Sequence, residues 1–180
     1  MVDQEKQKFR FEPLDKKVHN RAAFSCEHEA LNVYLKERAS QDVQKRVAAI
    51  YVLTPDGKTI AGYYTLSQYT IEIGELPDEA VQRLRLPKYD RLPATLLGRL
   101  ARSKEFKGEG LGEILLMGAL EKALLHSRNI ASLAVVVDAK DEKARNFYLS
   151  YGFIDLPDHP SRLFMLMQTI EQMFREAAAR

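Results

Sequence analysis

Residues 8–14, Lys-Phe-Arg-Phe-Glu-Pro-Leu, alternate charged and apolar side chains with a period of two and stop near a proline, which predicts a short first strand. After Ser25 the period changes. Ala30, Leu31, Tyr34, Leu35, Arg38 and Ala39 recur at the spacing of one helix face, with Ser25 as the N-cap. An apolar run at 48–53 and an Ile-, Tyr- and Thr-rich run at 59–73 flank the turn signal Pro55-Asp56-Gly57-Lys58, so the two runs predict a hairpin. The proline-bearing connector 75–93 carries a helical turn or two around 78–84. Residues 94–101 predict a further strand. Residues 107–112 then open a helix whose apolar positions Ile114, Leu115, Met117, Leu120, Ala123 and Leu124 persist to about His126. The unbroken apolar run 133–137 predicts a strand buried on both faces. Asp141 caps a helix running through Tyr148 and closed by Gly152, residues 163–170 predict a last strand, and 171–180 form a polar helical tail. The order is strand, helix, three strands, helix, strand, helix, strand or strands. That order predicts a mixed α/β (α+β) fold in one domain spanning 1–180.

Composition narrows the class. With 46% hydrophobic and 29% charged residues in 180, the chain has too much apolar material to be disordered, and no stretch approaches the ~18 apolar residues of a membrane span. The first ten residues carry charges of both signs and no apolar h-region, so no secretory signal is expected and the cytoplasm is the expected compartment. The single cysteine, Cys26, has no partner for an internal disulfide and no recognisable His/Asp partnership for nucleophilic work, so it reads as a small buried hydrophobe. The four histidines are scattered, and no metal site is expected. The net charge of +2 conceals a concentration: residues 83–107 hold Arg83, Arg85, Lys88, Arg91, Arg99, Arg102, Lys104 and Lys107 against Asp90 and Glu105. Clustered Lys and Arg attract phosphates.

The strongest chemical signal is the strand, glycine-rich turn and helix at 94–125. Gly108, Gly110 and Gly112 lack the Cβ atoms that would keep a ligand from the backbone, where the unpaired amides and positive dipole end of a starting helix favour a phosphate or diphosphate. The spacing is neither a P-loop, which needs Gly-Lys-Ser/Thr, nor the Rossmann fingerprint.

In this context Lys107-Gly108-Glu109-Gly110-Leu111-Gly112 resembles the acetyl-CoA signature Arg/Gln-x-x-Gly-x-Gly/Ala of the GNAT acetyltransferase superfamily, with Lys107 standing where Arg or Gln is usual. The family's second mark is met by Phe147-Tyr148-Leu149-Ser150-Tyr151-Gly152-Phe153. The resemblance implies the GNAT fold: a mixed central sheet of six to seven strands flanked by about four helices, with acetyl-CoA in the cleft between the fourth and fifth strands. It implies that Leu100, Ala101 and Arg102 bind the pantetheine arm through the backbone. The amides of Lys107, Gly108, Glu109, Gly110, Leu111 and Gly112 would hold the diphosphate, and Tyr148 would be the general acid beside the sulfur.

The acceptor has to attack as a neutral amine. A lysine with pKa about 10.4 needs a base for this, whereas an α-amino group near 7.7–8.0 needs little help. Residues 96–101 contain no carboxylate or histidine, and Glu72 lies at the far end of its run, which favours the low-pKa amine. Phe24-Ser25-Cys26, Leu31-Asn32-Val33-Tyr34-Leu35, Gly62-Tyr63-Tyr64-Thr65-Leu66-Ser67, Leu92-Pro93-Ala94 and Leu97-Gly98-Arg99-Leu100-Ala101 are together similar to the GNAT toxins of type II toxin-antitoxin systems. Arg102 departs from them at a position usually apolar. This likeness implies acetylation of the α-amino group of aminoacyl-tRNA and inhibition of translation. It also implies a homodimer, a ribbon-helix-helix antitoxin partner, and a basic tRNA surface here assigned to Arg83, Arg85, Lys88, Arg91 and Lys36. The competing readings are acetylation of a protein or small-molecule amine and, in another class, a non-catalytic acyl-CoA-binding or partner-docking module.

Overall fold

The computed structural model describes residues 8–86 and 89–180. Seven strands form one mixed sheet: β1 (Arg10–Pro13), β2 (Ala49–Thr54), β3 (Gly62–Glu72), β4 (Arg91–Arg102), β5 (Ala134–Asp138), β6 (Ile154–Asp155) and β7 (Arg162–Leu166), in the order β1-β2-β3-β4-β5-β7-β6. The helices are α1 (Glu29–Val33), α2 (Ala39–Gln44), α3 (Asp78–Leu84), α4 (Leu111–Ser127), α5 (Glu142–Ser150) and α6 (Met167–Ala178). Among them no helix is long and apolar enough to cross a membrane. By contact density the chain divides into two compact units, Met1–Leu66 with Arg99–Ala119, and Ser67–Gly98 with Leu120–Arg180.

In the first unit β1, β2 and β3 form an antiparallel meander with Pro13 opposite Tyr51 and Leu53 opposite Gly62. The hairpin turn is built by Asp56, whose carboxylate accepts the amides of Lys58 (2.8 Å) and Thr59 (2.7 Å). Those bonds hold its carboxyl well below the usual range. Behind the meander lies a core of Phe24, Leu31, Tyr34, Leu35, Ala39, Ile50, Val52, Tyr63 and Ala101. Gly62 is required by space: a Cβ there would stand 2.6 Å from a Leu115 methyl and 2.9 Å from the Ala101 carbonyl, a backbone atom of β4 that cannot step aside. Gly62→Ala is therefore expected to cost about 1–3 kcal/mol of stability, read as a lower urea midpoint at unchanged slope. A midpoint equal to that of wild type would mean that β4 yields easily at Ala101.

The first helix departs from the sequence expectation in its cap and at two positions of the assigned face, Ala30, which is exposed, and Arg38. Ser25 is not its N-cap; the residue before α1 is His28. The Asn32 side chain holds the loop extended by accepting the Cys26 amide (2.7 Å) and donating to the Cys26 carbonyl (3.3 Å), and the Ser25 carbonyl is taken by the Lys104 amide. Cys26 itself is buried. Between α1 and α2 the chain makes a π-helical turn, Tyr34–Arg38. The wider turn rotates Arg38 into solvent and brings Ala39 to the core, so Arg38 leaves the face assigned to it.

In the second unit, residues 134–137 of β5 are essentially inaccessible, as the continuous apolar run predicts. β5 pairs parallel to β4 (Thr95 with Val135, Leu97 with Val137) and antiparallel to β7. A core of Ile71, Leu92, Ala94, Val136, Leu156, Phe164 and Leu166 fills this unit. β4 starts at Arg91 rather than 94. The strand expected at 163–170 stops at Leu166, where the chain turns into α6. Met167 and Ile170 are buried at a helical spacing of three, which over so short a run cannot be told from a strand by apolarity alone.

Candidate active site

The glycine-rich turn belongs to the first unit. A short 3-10 turn, Lys104–Phe106, is capped by the Ser103 hydroxyl. Gly108 (φ +87°) and Gly110 (φ +70°) then take left-handed conformations that L side chains resist, and α4 begins at Leu111. A Cβ at either glycine would meet no atom of the described residues within 4 Å, so the missing side chains leave the backbone open rather than packed on a neighbour. The Lys107 amide already donates to the Lys104 carbonyl (3.2 Å) and the Glu109 amide to that of Phe106 (3.4 Å). The amides of Gly108, Gly110, Leu111 and Gly112 make no such bond among the described residues, as expected before the first closed turn of a helix. Glu109 would repel an anion, but its carboxylate is paired with the Lys8 ammonium. Phe9 adds an edge-to-face contact on Phe106 at 5.7 Å. Neither contact is foreshadowed in the sequence, where residues 8–14 show only the alternation of a strand.

Leu100 and Arg102 of β4 are half-buried and Ala101 is buried. The β4–β5 ladder runs from Thr95 to Leu97, and β4 continues beyond it to Arg102. Arg102 lies 3.7 Å from the Glu27 carboxylate.

Tyr148 belongs to the second unit, in α5. The Asp141 carboxylate caps this helix by accepting the Ala144 amide at 2.7 Å. Arg145 ties it to Asp155 through both carboxylate oxygens at 2.6 Å. At its C-terminus Gly152 takes φ +93°, which lets the Phe153 amide return to the Tyr148 carbonyl (3.2 Å) and sets the Phe153 ring edge-on to Tyr148 at 5.4 Å. The spacing from Phe147-Tyr148 to Gly152-Phe153 is thus a helix end folded back on its own tyrosine. Tyr148 is 7% exposed, and its hydroxyl makes no hydrogen bond among the described residues although it is not a fully buried orphan. Burial pushes the phenol up to about 12, so it holds its proton at neutral pH and is a donor rather than a base.

The basic residues do not all fall in one unit. Arg83 in α3, Arg85 at its left-handed C-terminus (φ 48°) and Arg91 at the start of β4 are exposed in the second unit. Lys36 is exposed on the π-helical turn of the first. Lys88 lies outside the described residues.

The model of the Acetyltransferase (GNAT) family matches residues 17–153. The probable toxin TacT of Sinorhizobium fredii is 30% identical over 170 residues, covering 90% of this chain and 93% of its own. A tRNA-acetylating toxin of Mycobacterium tuberculosis is 30% identical over 146 residues, covering 81% and 85%. Among solved structures, a tyrosine-to-phenylalanine mutant of KacT superposes with TM-score 0.85 at 33% identity, over 93% of this chain and 100% of that one. AtaT complexed with acetyl-methionyl-tRNAfMet gives 0.84 at 29% identity, over 92% and 99%. A tyrosine-to-phenylalanine mutant of AtaT bound to the C-terminus of the antitoxin AtaR and acetyl-CoA gives 0.79 at 26% identity, over 93% and 98%. The chain belongs to the GNAT acetyltransferase family and is related to its tRNA-acetylating toxins.

Proposed function

We propose that this protein is a toxin that transfers the acetyl group of acetyl-CoA to the α-amino group of aminoacyl-tRNA and so blocks translation. The observation that carries the reading is the near full-length likeness, in fold and at 29% identity, to AtaT holding acetyl-methionyl-tRNAfMet. The residues fit acetyl-CoA: the open, Cβ-free turn at Gly108 and Gly110 is a cradle for its diphosphate. Bound there, acetyl-CoA supplies a thioester whose acetyl group a neutral amine can attack. The amides of Gly108, Gly110, Leu111 and Gly112 bind the anion, those of Lys107 and Glu109 being engaged within the loop. The stretch of β4 through Leu100, Ala101 and Arg102, beyond the β5 ladder, offers main-chain groups to the pantetheine arm.

In this reading Tyr148 is the residue whose Oη would donate to the departing sulfur. A phenol near 12 would transfer a proton uphill to a thiolate whose conjugate thiol has an ordinary pKa of about 8.5, so its benefit is a hydrogen bond to the negative charge as it develops. A donor pinned in its protonated form cannot deprotonate the acceptor. That leaves the amine to arrive neutral by its own low pKa, as an esterified α-amino group does. Arg83, Arg85, Lys88, Arg91 and Lys36 supply positive charge for the RNA. In the same reading the protein works in the cytoplasm as a homodimer and a ribbon-helix-helix antitoxin neutralises it; the structure of AtaT bound to the C-terminus of the antitoxin AtaR supports an antitoxin partner.

The test is competition. Labelled acetyl-CoA is offered charged tRNA together with a lysine peptide and a polyamine, at low and high salt. Label is expected in RNA and to fall steeply as salt rises, because displaced counterions drive RNA binding. Label in peptide or polyamine, indifferent to salt, would select the other acceptor class, and coenzyme binding without transfer to any amine would select the non-catalytic module.

A further inference from the structure

The structure assigns to Arg99 the recognition of a phosphate of the nucleic-acid acceptor, with Tyr34 as the platform that holds the guanidinium ready. The inference rests on the aminoacyl-tRNA reading and names a residue that reading did not use.

Arg99 is a half-buried side chain of β4, and its guanidinium carbon stands 3.5 Å from the centroid of the Tyr34 ring. This is well inside the ~6 Å reach of a cation–π contact. The platform is itself fixed. Tyr34 is 4% exposed, and its hydroxyl donates to Asp42 Oδ2 at 2.7 Å. Its ring stacks on Tyr63 at 6.4 Å and 20°, and the Tyr63 hydroxyl donates to the Leu31 carbonyl at 2.9 Å. Ala101, two residues along β4 on the same face as Arg99, lies in the core cluster that contains both rings.

Arg99 is half-buried and yet, among the described residues, makes no hydrogen bond and no ion pair, whereas the other half-buried arginines spend their donors on the protein: Arg102 faces Glu27, Arg145 holds Asp155, Arg162 holds Asp138, and Arg21 donates to the carbonyls of Leu35 and Lys36. A half-buried guanidinium has given up part of its hydration, and a π face returns charge stabilisation without using any N–H. The planar fork of donors is left over, and a phosphate oxyanion accepts such a fork with two parallel bonds. Two phosphate sources come with the reaction, the coenzyme and the RNA. The free amides at the start of α4 already suit the coenzyme's diphosphate, which leaves its 3′-phosphate and the RNA; Arg99 is assigned to the RNA, and the coenzyme affinity of the Arg99 variants separates the two.

The experiment compares wild type with Arg99→Gln, Arg99→Lys and Tyr34→Leu, after thermal melting has shown each to be folded. It reads KM for charged tRNA, the dissociation constant of coenzyme A by calorimetry, and tRNA affinity against salt by fluorescence anisotropy. Arg99→Gln should raise KM roughly tenfold, the loss of one charged hydrogen-bonding contact, and reduce the salt slope by about one. Its coenzyme affinity should stay that of wild type. Arg99→Lys should restore the salt slope with only part of the affinity, because a point charge replaces a fork. Tyr34→Leu should weaken tRNA in the same direction. Arg99→Gln with a wild-type KM and slope would overturn the inference alone, as would weakened coenzyme binding in place of weakened tRNA binding. A wild-type protein that labels no charged tRNA would overturn the proposed function and this inference with it.

Discussion

Replacing Tyr148 by phenylalanine is expected to slow acetyl transfer by about 10²–10⁴-fold while coenzyme A binds as to wild type. The substitution keeps the ring that Phe153 and Phe147 pack against, both at 5.4 Å, so the helix end survives and only the hydroxyl is lost. A rate within a few fold of wild type would remove the role given to that hydroxyl. The pH profile is a second readout. Burial raises the phenol to about 12, so its protonated, competent form persists throughout the working range. The rate should climb with pH as the acceptor amine loses its proton near 7.7–8.0 or below and then level off, with no fall around pH 10. The stability linkage has the same sign. The unfolded phenol ionises near 10 and the folded one near 12, so whatever burial of the neutral ring contributes is intact below pH 10 and lost as pH rises from 10 through 12. A descending limb at pH 10 would show a phenol ionising as it does in water.

The second large effect is expected at Gly110. An alanine there must hold φ near +70°, at a strain of about 1–2 kcal/mol, and its methyl would enter the open space over the amides that start α4. The free loop relieves that strain by leaving φ +70°, and restoring the conformation on binding lowers coenzyme affinity by roughly 5–30-fold, to which the obstructing methyl adds. Gly74 is the control. It too has nothing among the described residues within 4 Å of a Cβ, but its φ is not in the left-handed range and it belongs to the 3-10 turn Ile73–Glu75 rather than to the glycine-rich loop. Gly74→Ala should bind coenzyme as wild type does. Calorimetry on the two variants decides the matter, and equal affinities would place the diphosphate elsewhere.

The features that local chemistry dictates are legible in the sequence. The apolar run at 134–137 marks a strand covered on both faces, Asp141 is a helix cap by residue type and position, and the glycines at 108, 110 and 152 sit where positive φ is needed. Whatever depends on segments distant in sequence is not legible. Ser25 looks like a cap because nothing local reveals that Asn32 grips Cys26, and the π-helical turn at Tyr34–Arg38 comes from burying Leu35 and Ala39 against a sheet formed later in the chain. The end of β7 is ambiguous because Met167 and Ile170 are apolar in either geometry. Within the candidate site, Tyr148 and the glycines carry motifs. The pairing of Lys8 with Glu109 and the seat of Arg99 on Tyr34 join residues 101 and 65 positions apart, and neither has a local signature. In the sequence Arg99 is only one member of a basic stretch.

The free amides at the start of α4 are the proposed seat of the coenzyme's diphosphate. Titrating the ¹⁵N-labelled protein with coenzyme A and following amide resonances tests this directly. The amides of Gly108, Gly110, Leu111 and Gly112 should shift and saturate together, and pantetheine, which has no diphosphate, should leave them unmoved. Saturable binding of coenzyme A that leaves those amides at their free positions would contradict it.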